Sequence, residues 1–374
     1  MTDRERFHAI MDGRPFDRVP LYFFGTWPET KVRWEREGLT GATDWPGSEG
    51  PQLPEMDADW ACTPDRRGTI WNNQGLINPA PIPDRRGEMV EDTEEYRLWR
   101  TPFGGLVKHS KLGSTLPQHL EPDLHPTQED WQRFREYLNP TDPRRRTGDW
   151  ENRAEALRNR TRVSCFLGGS LFGYLRNWMG LEAISYLPYD NPELLHTMVD
   201  DLVDYFIRLN GQFLENVPFD FAYIFEDCCF ANGPLFSPAV YEEFFDAGYR
   251  RLIAAYRNQG VPFMLMDSDG KVDTLIPHWL QSGFDIVFPL EVGTWKADPV
   301  ELRSRFGTKL RIMGGVDKHV IPKGETAIRR ELETLRPVVR KGGMIPFPDH
   351  RIPPDCSLQD FRTYCRVFRE VFPG

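Results

Sequence analysis

The hydrophobic pattern of the chain becomes regular near residue 160. Beyond that point, short runs of consecutive apolar residues alternate with stretches in which apolar residues recur every three or four positions. Continuous apolar runs are typical of strands buried on both faces of a parallel sheet, and the longer period is that of an amphipathic helix. The pattern predicts six strands after residue 160, in TRVSCFLGGS, FDFAYIFED, VPFMLMD, FDIVFPLE, LRIMGGVD and GGMIPFPDH.

Helix-start signals separate these strands. Asn191-Pro192-Glu193 gives a cap, a first-turn proline and a first-turn acid in order, and apolar residues from Leu195 to Leu209 then keep helical spacing. Further helices are predicted over residues 238–258, 272–282, 299–306, 325–340 and 358–372.

The first 150 residues are rich in Pro, Gly and Trp and predict mostly irregular structure. They contain one strand at residues 19–24, a hairpin at 96–111 that turns at Gly104-Gly105, and a helix at 128–138. The strand count predicts an α/β fold, a single (β/α)8 TIM barrel over residues 1–374. In this barrel an elaborated, irregular N-terminal part (1–150) precedes the regular βα units (160–374). Neither G-x-G-x-x-G after a strand nor G-x-x-x-x-G-K-[ST] occurs, which disfavours Rossmann and P-loop nucleotide sites.

Charge and hydropathy limit the partners. The chain carries 46 basic and 56 acidic residues, a net charge of −10, whereas nucleic-acid-binding proteins usually show a basic surface. No apolar run approaches the roughly 18–20 residues that span a bilayer, and the N-terminus has no apolar signal-peptide core. We therefore expect a cytoplasmic protein with neither a nucleic-acid nor a membrane partner.

Acidic residues follow five consecutive predicted strands. In a (β/α)8 barrel these strand ends all meet at the face where catalytic groups lie. The acids, with one adjacent histidine, are Glu226, Asp227, Asp267, Asp269, Glu291, Asp317, Asp349 and His350.

Two interpretations of these acids are open. Any single one is explained by helix capping or by a turn, as in Asp269-Gly270. Five that converge on one rim repel one another unless a cation or a proton compensates. An EF-hand calcium loop is excluded, because aligning Gly270 with its glycine puts Leu265 and Ile276 at ligand positions. The rim therefore predicts a metal site with oxygen and imidazole ligands, or carboxylic acids with raised pKa.

Motifs spread over nearly the whole chain resemble the uroporphyrinogen decarboxylase superfamily, specifically its cobalamin-dependent methyltransferase-like branch. They are RERF (4–7), DRVP (17–20), WPET (27–30), FED (225–227), NGPL (232–235), DSDG (267–270), MGGVDK (313–318) and PDHRIPPD (348–355). The superfamily's (β/α)8 fold agrees with the strand pattern.

The sequence departs from both branches of that superfamily. The decarboxylases bind their polyanionic substrate with an N-terminal arginine motif, and the matching stretch VPLYFFGTWPET contains no Arg. In the methyltransferase branch a His-x-Cys pair and a late Cys bind zinc. Those positions fall on Asp267, Asp269 and Pro348 here. Carboxylate and imidazole ligands suit a harder Lewis acid than thiolates do.

The resemblance implies a methyltransferase that demethylates a small methylated substrate, such as an aryl methyl ether, and passes the methyl group to a separate corrinoid protein. Cobalamin is expected only on that partner. A divalent metal, with zinc the first expectation, would polarise the leaving atom. The expected metal ligands are Glu226, Asp267, Asp269 and His350; the expected catalytic residues are Asp227, Asp267 and Asp317; the expected substrate-binding residues are Trp27, Glu29, Asn232, Glu291 and Asp349.

Two other functions remain open. A decarboxylase or other lyase could use a raised-pKa acid at Asp267 or Asp227 to protonate a carbanion without a metal. A barrel that has lost zinc could retain only a binding role. The N-terminal segment could mediate a homodimer or wrap the barrel.

Overall fold

The computed structural model describes residues 1–39, 76–112, 117–146, 148–161 and 163–373. The irregular structure predicted for residues 40–75 lies outside these ranges. The helices, in chain order, are α1 (Asp3–Met11), α2 (Pro28–Arg36), α3 (Gln128–Phe134), α4 (Trp150–Arg158), α5 (Phe172–Met179), α6 (Leu181–Asp190), α7 (Pro192–Leu214), α8 (Pro238–Val240), α9 (Asp246–Asn258), α10 (Ile276–Ser282), α11 (Val292–Trp295), α12 (Pro299–Phe306), α13 (Glu325–Arg340) and α14 (Leu358–Val371).

Before residue 160 the described strands form a separate antiparallel sheet. Its strands pair in chain order: β1 (Glu88–Asp92), β2 (Tyr96–Arg100), β3 (Leu106–Ser110) and β4 (Gln118–Glu121). The β2–β3 hairpin confirms the predicted hairpin. The helix predicted at 128–138 is also confirmed, as α3 continued by a 3-10 turn to Leu138.

After residue 160 the six predicted strands are confirmed and are parallel. They pair in the order β12-β11-β10-β9-β6-β5, and a small antiparallel hairpin, β7–β8, follows β6. With helices between successive strands, these units build the α/β fold of the (β/α)8 barrel type that the sequence predicts. The strands are β5 (Cys165–Gly169), β6 (Phe221–Phe225), β7 (Cys229–Phe230), β8 (Gly233–Pro234), β9 (Phe263–Asp267), β10 (Ile286–Leu290), β11 (Arg311–Val316) and β12 (Met344–Pro348).

The prediction of a strand at residues 19–24 is wrong, because these residues form no ladder of hydrogen bonds with a neighbouring strand. The chain there is buried, but its pairing comes later, where Ile352 donates to the carbonyl of Gly25 and accepts from the amide of Trp27, at 2.9 and 3.2 Å. This single parallel bridge, at Thr26, places the segment beside the chain that follows β12. The segment therefore pairs only beyond the end of β12, through the bridge between Thr26 and Ile352.

The core lies between the parallel sheet and the helices around it. Every residue of β9, β10 and β12 is buried, as their continuous apolar sequences predict. The apolar face predicted for α7 is buried from Leu195 to Leu209. Each large aliphatic side chain buried in this way contributes about 1.5–3 kcal/mol. The helix predicted at 272–282 starts only at Ile276, where Pro277 occupies the first turn.

A charge network fixes the opposite end of the sheet from the strand-end acids. Asp220, which directly precedes β6, is fully buried and accepts hydrogen bonds from Arg4 at 2.7 Å, Arg160 at 2.9 Å and the Ser164 amide at 2.7 Å. Its carboxylate also lies 2.8 Å from His8 Nε2. Burial would raise the pKa of Asp220, but these partners lower it to about 2. This network ties α1 to the sheet.

No helix in the described part of the chain is both long enough and apolar enough to cross a membrane.

Candidate functional site

The strand-end acids meet at one edge of the sheet because all six strands run in the same direction. Within this edge, Asp269, Glu291 and His350 bring one potential ligand atom each to within 4.8 Å of one another. They follow β9, β10 and β12, so three separate βα units build this Asp269–Glu291–His350 cluster. Asp269 and His350 were predicted as metal ligands. Glu291 was predicted as a substrate-binding residue.

Hydrogen bonds fix the orientation of all three side chains. His350 Nε2 lies 3.2 Å from Asp269 Oδ2. Glu291 accepts the Gly270 amide at 2.6 Å with one oxygen and the Thr294 hydroxyl at 2.9 Å with the other. Each carboxylate oxygen has a second lone pair, so these contacts leave acceptor capacity in the cluster.

The surroundings of the two cluster carboxyls shift their pKa values in opposite directions. Burial, and then the negative charge of Asp269, raise the pKa of Glu291. Burial would also raise the pKa of Asp269, but its hydrogen bond to His350 and the positive charges of His350, Lys318 and Arg351 lower it. The cluster therefore favours an ionised Asp269 and a Glu291 that retains its proton more readily than an exposed glutamate. A cation between the two carboxyls would relieve the same repulsion.

The donor set fits a divalent metal. Two carboxylates and one imidazole are ligands found in catalytic zinc sites, which use three protein ligands and leave one position open. The same set also suits harder divalent ions. Of the three zinc positions implied by the resemblance, Asp269 alone belongs to this set. Pro348 lies buried in β12 and offers no side-chain donor, and Asp267 accepts the hydroxyl of Tyr223.

Aromatic rings flank the cluster on the side of the N-terminal segment. The His350 ring lies 4.8 Å from Phe24 and 6.2 Å from Trp27, measured between centroids. Both aromatic residues are half-buried, and the Arg351 guanidinium lies 5.3 Å over the Trp27 ring. Phe24 also contacts Phe288 of β10 at 5.2 Å. The cluster thus has an apolar wall on this side.

Glu226 lies outside the cluster, although it was predicted as a metal ligand. Its buried carboxyl accepts the amides of Leu171 at 2.6 Å and Gly173 at 2.7 Å, and it also accepts the Tyr249 hydroxyl. These amides belong to the N-terminal end of α5, where a carboxylate is the usual partner. Burial raises the pKa of Glu226 to about 7 against the hydrogen bonds, which lower it.

Asp267 and Asp227 lie at the same edge of the sheet, outside the cluster. Asp267 is buried at the end of β9, where its carboxyl accepts the Tyr223 hydroxyl. Asp227 has a left-handed backbone with φ +43°, which is uncommon for a residue with a side chain. Its carboxylate is 3.2 Å from Arg176 Nη2. Burial raises the pKa of Asp227, the charge of Arg176 lowers it, and nearby Asp269 raises it further.

Asp317 and Asp349 hold loops at the same edge. Asp317 caps the 3-10 turn that follows β11 by accepting the His319 amide at 2.9 Å. Asp349 is fully buried and accepts the amides of Gly293 at 2.6 Å and Lys318 at 3.2 Å. The Lys318 ammonium lies 3.6 Å from the same carboxylate. Asp349 therefore ties the loops after β10 and β11 to the loop that carries His350.

Two predicted substrate-binding residues are not brought to the cluster. Glu29 is exposed in the first turn of α2, in a groove lined also by Val32 and Arg33. Asn232 is exposed at the turn of the β7–β8 hairpin. Trp27, predicted with them, does lie beside His350.

Sequence reasoning missed the basic and phenolic partners of the acids. Tyr223, Tyr249 and Arg176 carry no local signal, because each meets its acid only through the fold. Lys318 gave a signal that could have been used, since it directly follows Asp317 in MGGVDK. Its partner Asp349 is 31 residues away in sequence.

Comparison with known proteins identifies the family. The model of the family "Uroporphyrinogen decarboxylase (URO-D)" matches residues 151–371, more than half of the chain. The chain belongs to the uroporphyrinogen decarboxylase family. All residues of the Asp269–Glu291–His350 cluster lie in the matched range, whereas the aromatic wall of Phe24 and Trp27 precedes it.

Similarity to individual members of the uroporphyrinogen decarboxylase family is partial. The uroporphyrinogen decarboxylases of Pseudomonas savastanoi pv. phaseolicola (strain 1448A / Race 6) and Pseudomonas syringae pv. syringae (strain B728a) are each 31% identical over 189 residues. The aligned part is 49% of this chain and 50% of each relative. The chain thus spans about half the length of the curated relatives it matches.

A solved structure covers the whole chain. A methyltransferase from Methanosarcina mazei is 15% identical, with a TM-score of 0.57, and the match covers 99% of this chain and 99% of that one. At this identity the likeness shows that the two proteins share a fold. The match is longer than the range of residues 151–371 that the family model covers.

Proposed function

We propose that this protein is a methyltransferase that removes a methyl group from a small methylated substrate, such as an aryl methyl ether, and passes it to the corrinoid of a separate protein. The observation that carries the proposal is the Asp269–Glu291–His350 cluster, which faces the half-buried rings of Phe24 and Trp27. A charged donor set beside an apolar wall suits a small molecule with one polar atom to be activated. The fold shared with the Methanosarcina mazei methyltransferase is consistent with this.

Asp269, Glu291 and His350 would hold a divalent metal, with zinc as the first expectation. When bound, such an ion supplies a Lewis acid that neutralises charge on the leaving oxygen or nitrogen. The fit rests on the close approach of the three ligand atoms and on the charge of Asp269, which adds to burial in raising the pKa of Glu291.

The chain's own side chains supply orientation and a proton. The hydrogen bond between Asp269 and His350 fixes the imidazole ring, and the rings of Phe24 and Trp27 exclude water from one side of it. Glu291 is held by Gly270 and Thr294, which orient its carboxylate as a ligand. Asp227, whose pKa burial raises, would supply the proton to the leaving atom.

The acidic rim disfavours a polyanionic substrate. Besides burial, the charge of Asp269 raises the pKa of both Asp227 and Glu291, so a second set of carboxylates would meet net repulsion. Basic side chains nearby are already engaged, since Arg176 pairs with Asp227 and Lys318 with Asp349. A neutral or cationic methylated substrate suits this charge balance.

The test begins with the metal. Purified protein is washed with chelator, loaded with Zn2+ or Mn2+, and analysed by elemental mass spectrometry. About one ion per chain is expected, with a loss of about 10-fold or more in affinity for Asp269→Ala or His350→Ala. Asp355→Ala is the matched control, because Asp355 is an exposed acid on the His350 loop and lies outside the cluster. Equal metal content in all variants would refute the metal site.

The second step tests methyl transfer. Methyl ethers and methylamines labelled with deuterium in the methyl group are incubated with the protein and reduced free cobalamin, and transfer of the label is measured by mass spectrometry. Transfer that requires the intact cluster supports the proposal. Absence of transfer across the whole panel, with metal bound, would refute it.

Decarboxylation is the second candidate. The buried Asp267, which accepts the Tyr223 hydroxyl at a strand end, is an acid placed to donate a proton to a carbanion. The partial similarity to the uroporphyrinogen decarboxylases of two Pseudomonas species supports this candidate. Release of CO2 from a small aromatic or pyrrolic acid, abolished by Asp267→Asn but unaffected by chelator, would favour this reaction. Binding without either reaction would leave the non-catalytic barrel.

A further inference from the structure

The helix α5 lies directly against the chain that follows β6. A Cβ added at Gly173, in the first turn of α5, would lie 2.8 Å from the carbonyl oxygen of Glu226 and 3.1 Å from that of Phe225. In the last turn of α5, the Arg176 guanidinium contacts Asp227. Gly173 and Arg176 are three residues apart, so they lie on the same face of the helix. One face of α5 therefore contacts three consecutive residues at the end of β6.

A single guanidinium holds both the backbone and the side chain of Asp227. Arg176 Nη1 donates to the Asp227 carbonyl, and Nη2 lies 3.2 Å from the Asp227 carboxylate. Nη2 also donates to the side-chain oxygen of Asn177 at 3.2 Å. Because the guanidinium is a planar fork, its two contacts with Asp227 fix the carbonyl and the carboxylate of that residue relative to each other.

The backbone of Asp227 has an unfavourable conformation. Its φ of +43° lies in the left-handed region, and among the described residues Lys296 is the only other residue with a side chain that has a positive φ. The amides of Glu226 and Asp227 both donate to the carbonyl of Asp267, the last residue of β9, at 2.9 and 3.1 Å. Such a conformation persists only where the surroundings impose it, and here they are β9 and α5.

The Asp227 carboxyl stays accessible although α5 holds it. Its side chain is 36% exposed at the strand-end edge. Besides burial and Arg176, the charges that act on its pKa are those of Asp269 and His350, two members of the cluster. The contacts of α5 therefore hold an open carboxyl within electrostatic range of the Asp269–Glu291–His350 cluster.

We propose that Arg176 is a positioning residue for Asp227, which it holds in the left-handed conformation and thereby fixes the carboxyl beside the cluster. Only the use of Asp227 as a proton donor rests on the proposed function. The contacts themselves hold for any chemistry at this edge. Without the guanidinium, the backbone at residue 227 is expected to relax and the carboxyl to leave its place.

Stability measurements test the backbone part without any activity. Asp227→Ala and Asp227→Gly both lack the carboxylate, so their comparison isolates the backbone. With Arg176 present, the folding equilibrium constant of Asp227→Ala should be at least about 3-fold lower than that of Asp227→Gly, because only glycine adopts a positive φ without strain. In an Arg176→Met background the difference should vanish or reverse, since glycine then only adds freedom to the unfolded chain.

The control background is Arg133→Met, which removes an exposed arginine that pairs with Asp130 at 2.8 Å and should leave the difference unchanged. Urea unfolding gives all the constants. Should circular dichroism show Arg176→Met to be unfolded, Arg176→Gln replaces it, because glutamine also lacks the charge and the fork. The same difference with and without Arg176 would overturn the proposal.

The pKa of Asp227 tests the side-chain part. It is followed by carbon NMR on protein labelled in its aspartate side chains, and the signal is assigned by its loss in Asp227→Asn. Burial raises this pKa and the charge of Arg176 lowers it, so Arg176→Met should shift it upward. Arg176→Lys keeps a positive charge and should shift it less. An unchanged pKa in Arg176→Met would contradict a role of Arg176 at this carboxyl.

Methyl transfer to reduced free cobalamin gives the functional readout. With the substrate that wild type demethylates, Arg176→Lys should lower kcat about 10- to 100-fold while KM changes less than about 2-fold, because a displaced proton donor slows the reaction without weakening binding. Wild-type kcat in Arg176→Lys would show that charge alone suffices and would overturn the positioning role. Absence of transfer in wild type would instead refute the proposed function, and the stability and NMR comparisons would still decide the role of Arg176.

Discussion

Glu226→Gln tests whether burial or hydrogen bonding determines the pKa of Glu226, the acid that follows β6. The wild-type carboxyl is 2% exposed and accepts two backbone amides and the Tyr249 hydroxyl. The hydrogen bonds favour the ionised form, whereas burial favours the neutral form. Burial prevails, since the pKa rises from the ordinary 4.5 to about 7.

The magnitude follows from this pKa. Between pH 4.5 and about 7 the folded protein retains a proton at Glu226 that the unfolded chain has lost, so the free energy of unfolding falls as the pH rises. Since each pH unit is worth about 1.4 kcal/mol, the carboxyl costs about 3 kcal/mol above pH 7. Glutamine resembles the neutral acid and does not titrate. The variant should therefore gain about 3 kcal/mol relative to wild type between pH 4.5 and pH 8.

Urea unfolding followed by tryptophan fluorescence, at half-unit steps from pH 4.5 to 8, measures this difference. Glu325→Gln is the control, because Glu325 is an exposed acid whose pKa is lowered by hydrogen bonds from Arg366 and Arg329. Its stabilisation is lost only as the pH falls through that lowered pKa, so its curve should stay parallel to wild type above pH 5. Parallel curves for Glu226→Gln, or a variant that loses stability as the pH rises, would refute the dominance of burial.

Two further substitutions probe the opposite end of the sheet and the acidic loop. Asp220→Asn should destabilise the protein by about 3–5 kcal/mol at pH 7, because it breaks a buried ion-pair network. This loss of unfolding free energy should shrink as the pH falls from 3.8 to 2, because the wild-type carboxylate of Asp220 is then protonated too. Metal content should not change. A loss that stays constant over this pH range in urea unfolding would contradict the prediction. Gly270→Ala should lower the free energy of unfolding by at least about 1–2 kcal/mol, because residue 270 has a left-handed backbone (φ +83°). Its Cβ would also lie 2.6 Å from the Cys229 carbonyl oxygen, so metal affinity should fall through displacement of the amide that holds Glu291. Wild-type stability and metal content in this variant would show that the loop adapts.

The barrel could be predicted from the sequence because its strands are buried on both faces. A run such as FMLMD needs no partner information to be recognised, and β9 spans Phe263–Asp267. The segment at residues 19–24 is equally apolar, yet its hydrogen bonding depends on where the chain after β12 passes, which no local pattern encodes.

The site was only partly predictable. Convergence of the acids follows from parallel strands, and Asp269 and His350 were both expected as ligands. The sequence could not show which acids form the cluster and which hold helices or loops, because that depends on long-range contacts. Glu226 meets α5, and Asp349 meets Gly293 and Lys318, only in the folded chain.

The spacing of the cluster along the chain has a consequence for assembly. Asp269 and His350 are 81 residues apart, and Glu291 comes from a loop between them. An ion held by all three would act as a reversible cross-link that closes a long loop, and it would restrict the unfolded chain much as a disulfide does. Ion binding and the pairing of β12 would then be thermodynamically coupled. The ion concentration would therefore determine the folded fraction, and with it the fraction of chains that resists proteolysis.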